Sequence, residues 1–326
     1  MKTLFESTKI GSMTLKNRFI RAATADRAVS GHLTKAMYKT YEDLSCGGVG
    51  TIITGFTLVD EAEGSYPLPG IYSDSLVDQY EKLITAAHEH GANIILQLVY
   101  VGSYIMGGTA GQTVLGPSAV TNLNTKAIPK EMSVDDIKAV QEKFAQAALR
   151  AKKAGFDGIE IHAAHGFLLS QFITPYYNRR SDIYGGSIEN RARMTLETYS
   201  AIREAVGREY PIWVKLNCTD GIEGGLTIED FLYTCKALTK LGVDAIEVSG
   251  NWMARSKEKE AYFKNEAAMA AKENPVAVIL TGGNRDRGQM EQLLNSTEIG
   301  YFGMSRPFLS EPDLVSRYEK EYQGTA

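Results

Sequence analysis

Eight short apolar runs, rich in β-branched residues, follow one another along this chain of 326 residues. They are RFIRAA (18–23), VGTIITG (49–55), NIILQLV (93–99), GIEIHA (158–163), IWVKLN (212–217), AIEVSG (245–250), AVILTGG (277–283) and EIGYFGM (298–304). Continuous apolar runs of this kind are typical of strands that are buried on both faces, as in a parallel sheet.

Amphipathic segments lie between most of these runs and predict helices. In residues 133–156, apolar side chains recur at helical spacing from Val134 to Ala148. Capping-box patterns at Ser133 and Thr227 mark two helix starts.

Strand–helix alternation repeated eight times favours an α/β fold, the (β/α)8 TIM barrel, with a short N-terminal capping segment. A doubly wound parallel sheet is the main alternative fold. No linker, repeat or charge block divides the sequence, so we expect a single domain over residues 1–326.

Composition excludes several classes of protein. The chain is 44% hydrophobic and 23% charged, as in an ordinary globular protein, and its net charge of −4 argues against nucleic acid as a partner. No run is long and apolar enough for a membrane span, and the first residues lack a signal-peptide pattern, so we expect a cytoplasmic protein. Three scattered cysteines, with no CxxC, argue against a disulfide framework and a metal site.

Chemistry in a barrel of this type lies where the strands end and the following loops begin. Three of these loops are long: 100–131, which contains the glycine-rich stretch 107–111, then 164–187 and 250–264. Long loops on one face of a domain are usually lids or pocket walls.

Two histidines, His162 and His165, come at the end of the fourth predicted strand. At the barrel mouth their imidazoles could donate two N–H groups to one acceptor atom, which would stabilise a carbonyl or nitro oxygen as it becomes negative. A metal site is one alternative, although no carboxylate or cysteine nearby completes a ligand set. The other alternative is that both histidines have a purely structural role.

The same segment carries a family resemblance. HAAHGFLLSQF and NRRSDIYGGSIENRARM resemble the signature of the old yellow enzyme family of FMN-dependent oxidoreductases. The resemblance extends along the chain through LFESTKIGSMTLKNRF, NIILQL, VKLN, TGGN and FGMSRPFLSEPDLV. The chain ends after one barrel, which is similar to the short bacterial branch of the family.

The resemblance implies FMN as cofactor and NAD(P)H as reductant. The cofactor-binding residues that it implies are Ala22, Ala23, Thr24, Ala25, Gly55, Gln97, His162, Lys215, Gly282, Gly283, Ser305 and Arg306. The backbone of the first four would border the isoalloxazine ring, and Gly55 would allow its close approach. Gln97 would bind the pyrimidine edge. Lys215 replaces the usual arginine near N1 and C2=O, where either cation would favour the anionic reduced flavin.

The last four residues would hold the FMN phosphate. The backbone N–H groups of Gly282 and Gly283 and the guanidinium of Arg306 suit a phosphate that lies after the seventh and eighth strands. Ser305 stands where the family usually has glycine, and its backbone can still donate.

Several positions depart from the family pattern and concern the substrate. Phe167 stands where ene-reductases commonly place the tyrosine that protonates the substrate, and phenylalanine has no exchangeable proton. Tyr100, where many relatives have histidine, is our hypothesis for a substitute donor, with an aromatic pocket wall as the alternative. Ala25 lacks the side chain that often tunes the flavin potential. Arg27, in place of a tyrosine, suggests an anionic or polar substrate.

The resemblance therefore implies an enzyme that passes hydride from NAD(P)H through FMN to an enone, nitro compound, quinone or flavin, with His162, His165 and Tyr100 as catalytic residues. The substrate-binding residues would be Arg27, Tyr100, His162, His165 and Phe167. Alternatives are an FMN-dependent dehydrogenase of an amine or ether, and an FMN-binding protein with little turnover. A cofactor-free aldolase or isomerase would need a lysine or carboxylate pair at the mouth. The acceptor, the choice of NADH or NADPH and homo-oligomer formation stay open.

Overall fold

The computed structural model describes residues 1–63, 67–105, 113–251 and 260–325. The strands in these ranges are β1 (Thr8–Ile10), β2 (Met13–Leu15), β3 (Phe19–Arg21), β4 (Thr51–Ile53), β5 (Thr57–Leu58), β6 (Asn93–Val99), β7 (Leu115–Gly116), β8 (Lys130–Glu131), β9 (Gly158–Ala163), β10 (Ile212–Asn217), β11 (Ala245–Ser249), β12 (Ala277–Thr281) and β13 (Tyr301–Met304). The predicted loop stretch 107–111 and residues 252–259 of the predicted loop 250–264 lie outside the described residues.

The helices are α1 (Lys35–Cys46), α2 (Glu81–Glu89), α3 (Val134–Ala154), α4 (Leu168–Ile173), α5 (Ile188–Arg191), α6 (Arg193–Val206), α7 (Ile228–Leu241), α8 (Lys264–Glu273), α9 (Arg287–Ser296), α10 (Arg306–Ser310) and α11 (Leu314–Thr325). Short 3-10 helices cover Glu61–Glu63, Asp74–Leu76, Asp78–Tyr80 and Gly102–Tyr104. No helix in the described ranges has both the length and the apolar character that a membrane crossing requires.

Eight parallel strands close into a barrel in the order β4, β3, β13, β12, β11, β10, β9, β6, and the pairing of β6 with β4 completes the ring. Each of the eight predicted runs contains one of these strands, so the predicted (β/α)8 barrel is confirmed. The very short strands β5, β7 and β8 and the antiparallel hairpin β1–β2 are not among the predicted runs.

The predicted helix starts are also present. The Ser133 and Thr227 hydroxyls accept the N–H groups of Asp136 and Asp230, at 3.1 and 3.2 Å, which caps α3 and α7. Helix α3 ends at Gly155, whose φ of 98° is in the left-handed region that favours glycine.

The N-terminal end of the barrel is closed by apolar side chains. Inward-facing residues of seven strands form one buried cluster, which we call the apolar floor: Ile20, Ile53, Ile95, Trp213, Ala245, Ile279 and Tyr301. The hairpin adds Ile10, Met13 and Leu15 to this cluster from below. The hairpin is thus the predicted N-terminal capping segment, and the opposite, C-terminal end of the barrel is left for chemistry.

Candidate active site

Two residues beyond the apolar floor, the inward positions of four neighbouring strands become polar. Because side chains of a strand alternate between its faces, these positions also face the barrel interior. We call them the polar layer: Gln97 on β6, Glu160 on β9, Lys215 on β10 and Glu247 on β11. On the other side of the barrel the equivalent positions, on β13 and directly after β3, are small: Gly303 and Ala22. A Cβ on Gly303 would overlap Thr281 Oγ1, so the small residue is required there.

The four residues of the polar layer are paired. Lys215 Nζ donates to Glu247 Oε1 at 2.7 Å, and these side chains are only 2% and 0% exposed. The amide nitrogen of Gln97 donates to Glu160 Oε2 at 2.5 Å. The carboxyl groups of Glu160 and Glu247 are themselves hydrogen-bonding neighbours. The layer is therefore one connected network in the barrel interior.

The two carboxyl groups of this network differ in ionisation. Burial raises the pKa of Glu160 well above its usual range, and the negative charge of Glu247 raises it further. Burial is the largest influence on Glu247 and acts to raise its pKa, but the charge and hydrogen bond of Lys215, together with hydrogen bonds from Glu160 and Thr281, lower this pKa overall. Two adjacent carboxyls cannot both ionise easily, so Glu160 holds the proton and Glu247 the charge.

His162 and His165 lie above this layer at the end of β9, with ring centroids 5.0 Å apart and planes at 83°. His162 Nδ1 accepts the N–H of Ala164 at 3.3 Å, so the neutral ring carries its proton on Nε2. His165 has a φ of 59°, uncommon for a residue with a side chain, and its N–H donates to Asn217 Oδ1 at 3.0 Å. Its Nε2 is 2.9 Å from the hydroxyl of Ser249.

Both histidines are neutral near pH 7. Burial lowers the pKa of His162 well below its usual value, with further lowering by His165 and Lys215. Burial and the nearby Lys215 charge lower the pKa of His165 to about 3. Each neutral ring keeps one N–H, so the pair can donate hydrogen bonds to an oxygen but is a poor source of protons.

Aromatic side chains surround the histidines. The Phe167 ring is 4.7 Å from that of His162, and it also contacts Phe56 and Tyr104, each at 5.2 Å between centroids. Phe167 is buried, and it packs in one apolar cluster with Val99. This wall makes one side of the site apolar.

Tyr100 is not part of this wall. Val99 is in the Phe167 cluster, and the next residue, Tyr100, belongs to the main core cluster. Burial raises the pKa of Tyr100 above its usual value, as do the carboxylates of Glu63 and Asp60. The structure therefore does not bring Tyr100 to the histidines, and the phenol that contacts Phe167 is Tyr104, which sequence reasoning missed.

The four predicted phosphate residues do come together. Gly282, Gly283, Ser305 and Arg306 line one cavity of about 80 Å³ beyond β12 and β13. Gly282 and Gly283 have φ values of 125° and 80°, which favour glycine, and a Cβ on Gly283 would overlap the ring of Tyr262. Thr24 Oγ1 is 2.8 Å from Ser305 Oγ, which ties the end of β3 to the same cavity.

The segment after β3 becomes exposed step by step. Ala22 is buried, Ala23 and Thr24 are half-buried, and Ala25 and Arg27 are exposed. A Cβ on Gly55 would lie 2.6 Å from both Asp26 Oδ2 and the carbonyl oxygen of Thr24. The protein's own packing thus already requires glycine at position 55, whatever else approaches it.

The residues fit a flavin mononucleotide. Gln97 Oε1 is buried and has no hydrogen-bond partner among the described residues, so it is available to a polar ring edge. Gly303 and Ala22 leave the opposite side of the layer without bulk. The cavity with two glycine N–H groups and Arg306 suits a phosphate.

Sequence reasoning missed Glu160, Glu247, Ser249 and Tyr104. A signal existed for two of them: Glu160 and Glu247 are charged residues inside the otherwise apolar runs GIEIHA and AIEVSG. In the parallel register, Lys215 lies opposite Glu247, which makes the pair.

Comparison with known proteins identifies the family of this chain. The model of the NADH:flavin oxidoreductase / NADH oxidase family matches residues 3–324. A metal reductase from Desulforamulus reducens is 32% identical over 324 residues, which are 97% of this chain and 48% of that protein. An NADH oxidase from Thermoanaerobacter brockii is 31% identical over 322 residues, 95% of this chain and 50% of that protein.

The chain thus spans about half the length of the curated relatives that it matches. Among solved structures, morphinone reductase superposes with a TM-score of 0.84 at 28% identity, over 98% of this chain and 90% of that one. With a family match over nearly its whole length and the same barrel, this chain belongs to the NADH:flavin oxidoreductase / NADH oxidase family, the FMN-dependent old yellow enzyme family.

Proposed function

We propose that this chain passes hydride from NAD(P)H, through bound FMN, to an electron-poor small molecule. The observation that carries the proposal is the convergence, at one end of the barrel, of two neutral histidines, a buried polar layer and a phosphate-sized cavity. FMN, when bound, supplies the reversible acceptance and release of hydride that no side chain of the chain can perform.

The phosphate would be held by the backbone N–H groups of Gly282 and Gly283 and by Arg306. Gln97 would accept or donate at the pyrimidine edge of the ring, and Lys215 would donate to it from below. Ala22 to Ala25 and Gly55 would border the ring at the small-residue side. These roles follow the family resemblance, and the burial and positions described above support them.

His162 and His165 would orient the acceptor. The Nε2–H of His162 and the remaining N–H of His165 would donate to a carbonyl or nitro oxygen, and so stabilise the negative charge that grows there as hydride arrives. Because both rings stay neutral when buried, they offer hydrogen bonds without giving up a proton. The aromatic rings of Phe167, Phe56 and Tyr104, which pack against one another, would limit the access of water from the same side.

Reduction of an enone also needs a proton at carbon, and Phe167 cannot supply one. Tyr104 is a better candidate than Tyr100, because its ring contacts Phe167 whereas Tyr100 packs in the main core. Quinones, nitro compounds and flavins take their protons on oxygen or nitrogen and would not need this donor. The exposed Arg27 favours a polar or anionic acceptor.

The test is an anaerobic titration of the FMN-loaded protein, followed by its visible absorbance. NADH or NADPH should bleach the flavin, and an enone or quinone added afterwards should restore the colour. Bleaching by an amine but by neither nicotinamide would instead favour the dehydrogenase alternative. Tight FMN binding with no bleaching by any donor would contradict the proposal and leave a binding protein.

A further inference from the structure

The polar layer balances its own charge. Lys215 is a buried cation, and an unpaired cation at 2% exposure would be strongly disfavoured. The ammonium of Lys215 donates a hydrogen bond to a carboxylate oxygen of Glu247 at 2.7 Å. The other carboxyl, Glu160, is bound instead by the neutral amide of Gln97 at 2.5 Å. The lysine and the ionised carboxylate therefore form the charged pair, and Glu160 is its neutral neighbour.

No other charge faces this cluster from the adjoining strands in the described part of the chain. His162 and His165 lie above it and are neutral. Below it lies the apolar floor, which includes Trp213 and Ala245 on the same strands as Lys215 and Glu247. The cluster therefore carries one positive charge on Lys215, and one negative charge and one proton on the carboxyl pair. Its net charge is zero.

We propose that the Glu160–Glu247 carboxyl pair, which carries a single negative charge, cancels the charge of Lys215 and thereby lowers the reduction potential of the bound flavin. This inference rests on the proposed function, since it assumes FMN above the polar layer. It departs from the expectation that the lysine acts as a full positive charge on the ring. Lys215 instead contributes a hydrogen-bond donor within a neutral cluster.

A negative charge arriving on the flavin is stabilised by a nearby cation, and a carboxylate within 3 Å of that cation removes most of this effect at longer range. The carboxyl pair is needed as a unit, because Glu160 can lose its proton and take over the charge if Glu247 alone is removed.

Sulfite is a suitable probe, because it adds to N5 of oxidised flavin with its electron pair and leaves a negative charge on the ring. Its dissociation constant can be measured from the loss of visible absorbance, without any turnover. The informative variant is Glu160→Gln with Glu247→Gln, which keeps both shapes and removes the negative charge. The matched control is Glu160→Gln alone, which replaces a neutral acid by a neutral amide.

We expect the double variant to bind sulfite at least about tenfold more tightly than the wild type, with a raised flavin potential. The Glu160→Gln control should stay within about threefold of the wild type, since net charge is conserved. Equal sulfite affinity in the double variant and the wild type would overturn the inference.

A second variant keeps the test open if the double carboxyl variant does not fold. Lys215→Gln with Glu247→Gln removes both charges of the ion pair and leaves the cluster neutral. We expect its sulfite affinity within about threefold of the wild type, whereas loss of a full cation would weaken it about tenfold or more. Wild-type protein that binds no FMN at all would contradict the proposed function itself, which separates the two failures.

Discussion

The apolar floor and the polar layer share the strands β6, β10 and β11, lie two residues apart along them, and differ in the polarity of their side chains. On β6 the inward-facing Ile95 is followed two residues later by Gln97, and on β10 Trp213 is followed two residues later by Lys215. Each strand thus changes from apolar to polar between one inward position and the next. The floor is closed by the hairpin and buries apolar surface, which stabilises the fold. The layer buries a lysine and carboxyl groups, which costs stability unless each is paired.

The comparison shows which of the two layers stabilises the fold and which one carries polar groups for chemistry. Gln97 Oε1, in the polar layer that would face a ligand, is a buried polar atom without a hydrogen-bond partner among the described residues. In the floor, the indole N–H of Trp213 likewise has no hydrogen-bond partner in the described part of the chain, but its ring fills the barrel interior. Substitutions in the two layers should therefore damage different properties.

The largest effect is expected in the floor. Trp213→Ala would leave a large cavity and should lower the free energy of unfolding by about 3–5 kcal/mol, measured by urea denaturation. Trp213→Phe should lower the free energy of unfolding clearly less than Trp213→Ala. The flavin affinity of the folded fraction should change little. A variant that unfolds like the wild type but no longer binds FMN would reverse our assignment of the two layers.

The next effect concerns the acceptor. His162→Ala removes a hydrogen-bond donor aimed at the developing negative charge, and it should slow reoxidation of the reduced flavin by an enone about a hundredfold, or about 2.7 kcal/mol. Stopped-flow absorbance measures this step apart from flavin reduction. The unfolding midpoint should stay close to that of the wild type. Unchanged reoxidation would show that the ring has only a structural role.

A pH effect follows from the buried histidines. Both pKa values are lowered in the folded state, that of His165 to about 3, so below about pH 6.5 the unfolded chain binds protons that the folded chain cannot. Stability should therefore fall as pH drops below 6.5, by up to about 1.4 kcal/mol per pH unit for each histidine. Urea denaturation of the wild type and of His165→Gln at pH 7 and pH 5 checks this. Equal losses in both proteins would contradict the contribution of His165.

The smallest effect separates two phenols. Tyr104→Phe should slow reoxidation by an enone about tenfold if its hydroxyl supplies the proton, with water as a poorer substitute. Tyr100→Phe is the matched control and should leave this step unchanged, because Tyr100 packs in the main core. Reoxidation by a quinone should be unaffected in both. If Tyr100→Phe is the slower variant, Tyr100 and not Tyr104 lies close enough to the substrate to supply the proton.

Much of the fold could be predicted because each barrel strand is a separate apolar run. The two-residue strands β5, β7 and β8 could not, since two residues carry no periodicity. The histidines and the residues proposed for the phosphate stand at or near strand ends, where a barrel concentrates its chemistry, so the sequence could single them out as candidates.

The rest depended on register and on side-chain direction. The partner of Lys215 is Glu247 on the next strand, and only the parallel register shows that the two lie opposite each other. Tyr100 follows β6 directly, and whether it faces the pocket depends on one step of the pleat. Val99 joins the Phe167 cluster, so its neighbour Tyr100 packs on the other side.

The central claim is that the C-terminal end of this barrel holds FMN by its phosphate. The most direct measurement is a titration of FMN and of riboflavin, followed by quenching of flavin fluorescence, with the wild type and with Arg306→Ala. We predict that the wild type binds FMN at least about tenfold more tightly than riboflavin, and that Arg306→Ala removes most of this difference. Equal affinities for FMN and riboflavin in the wild type would contradict the claim.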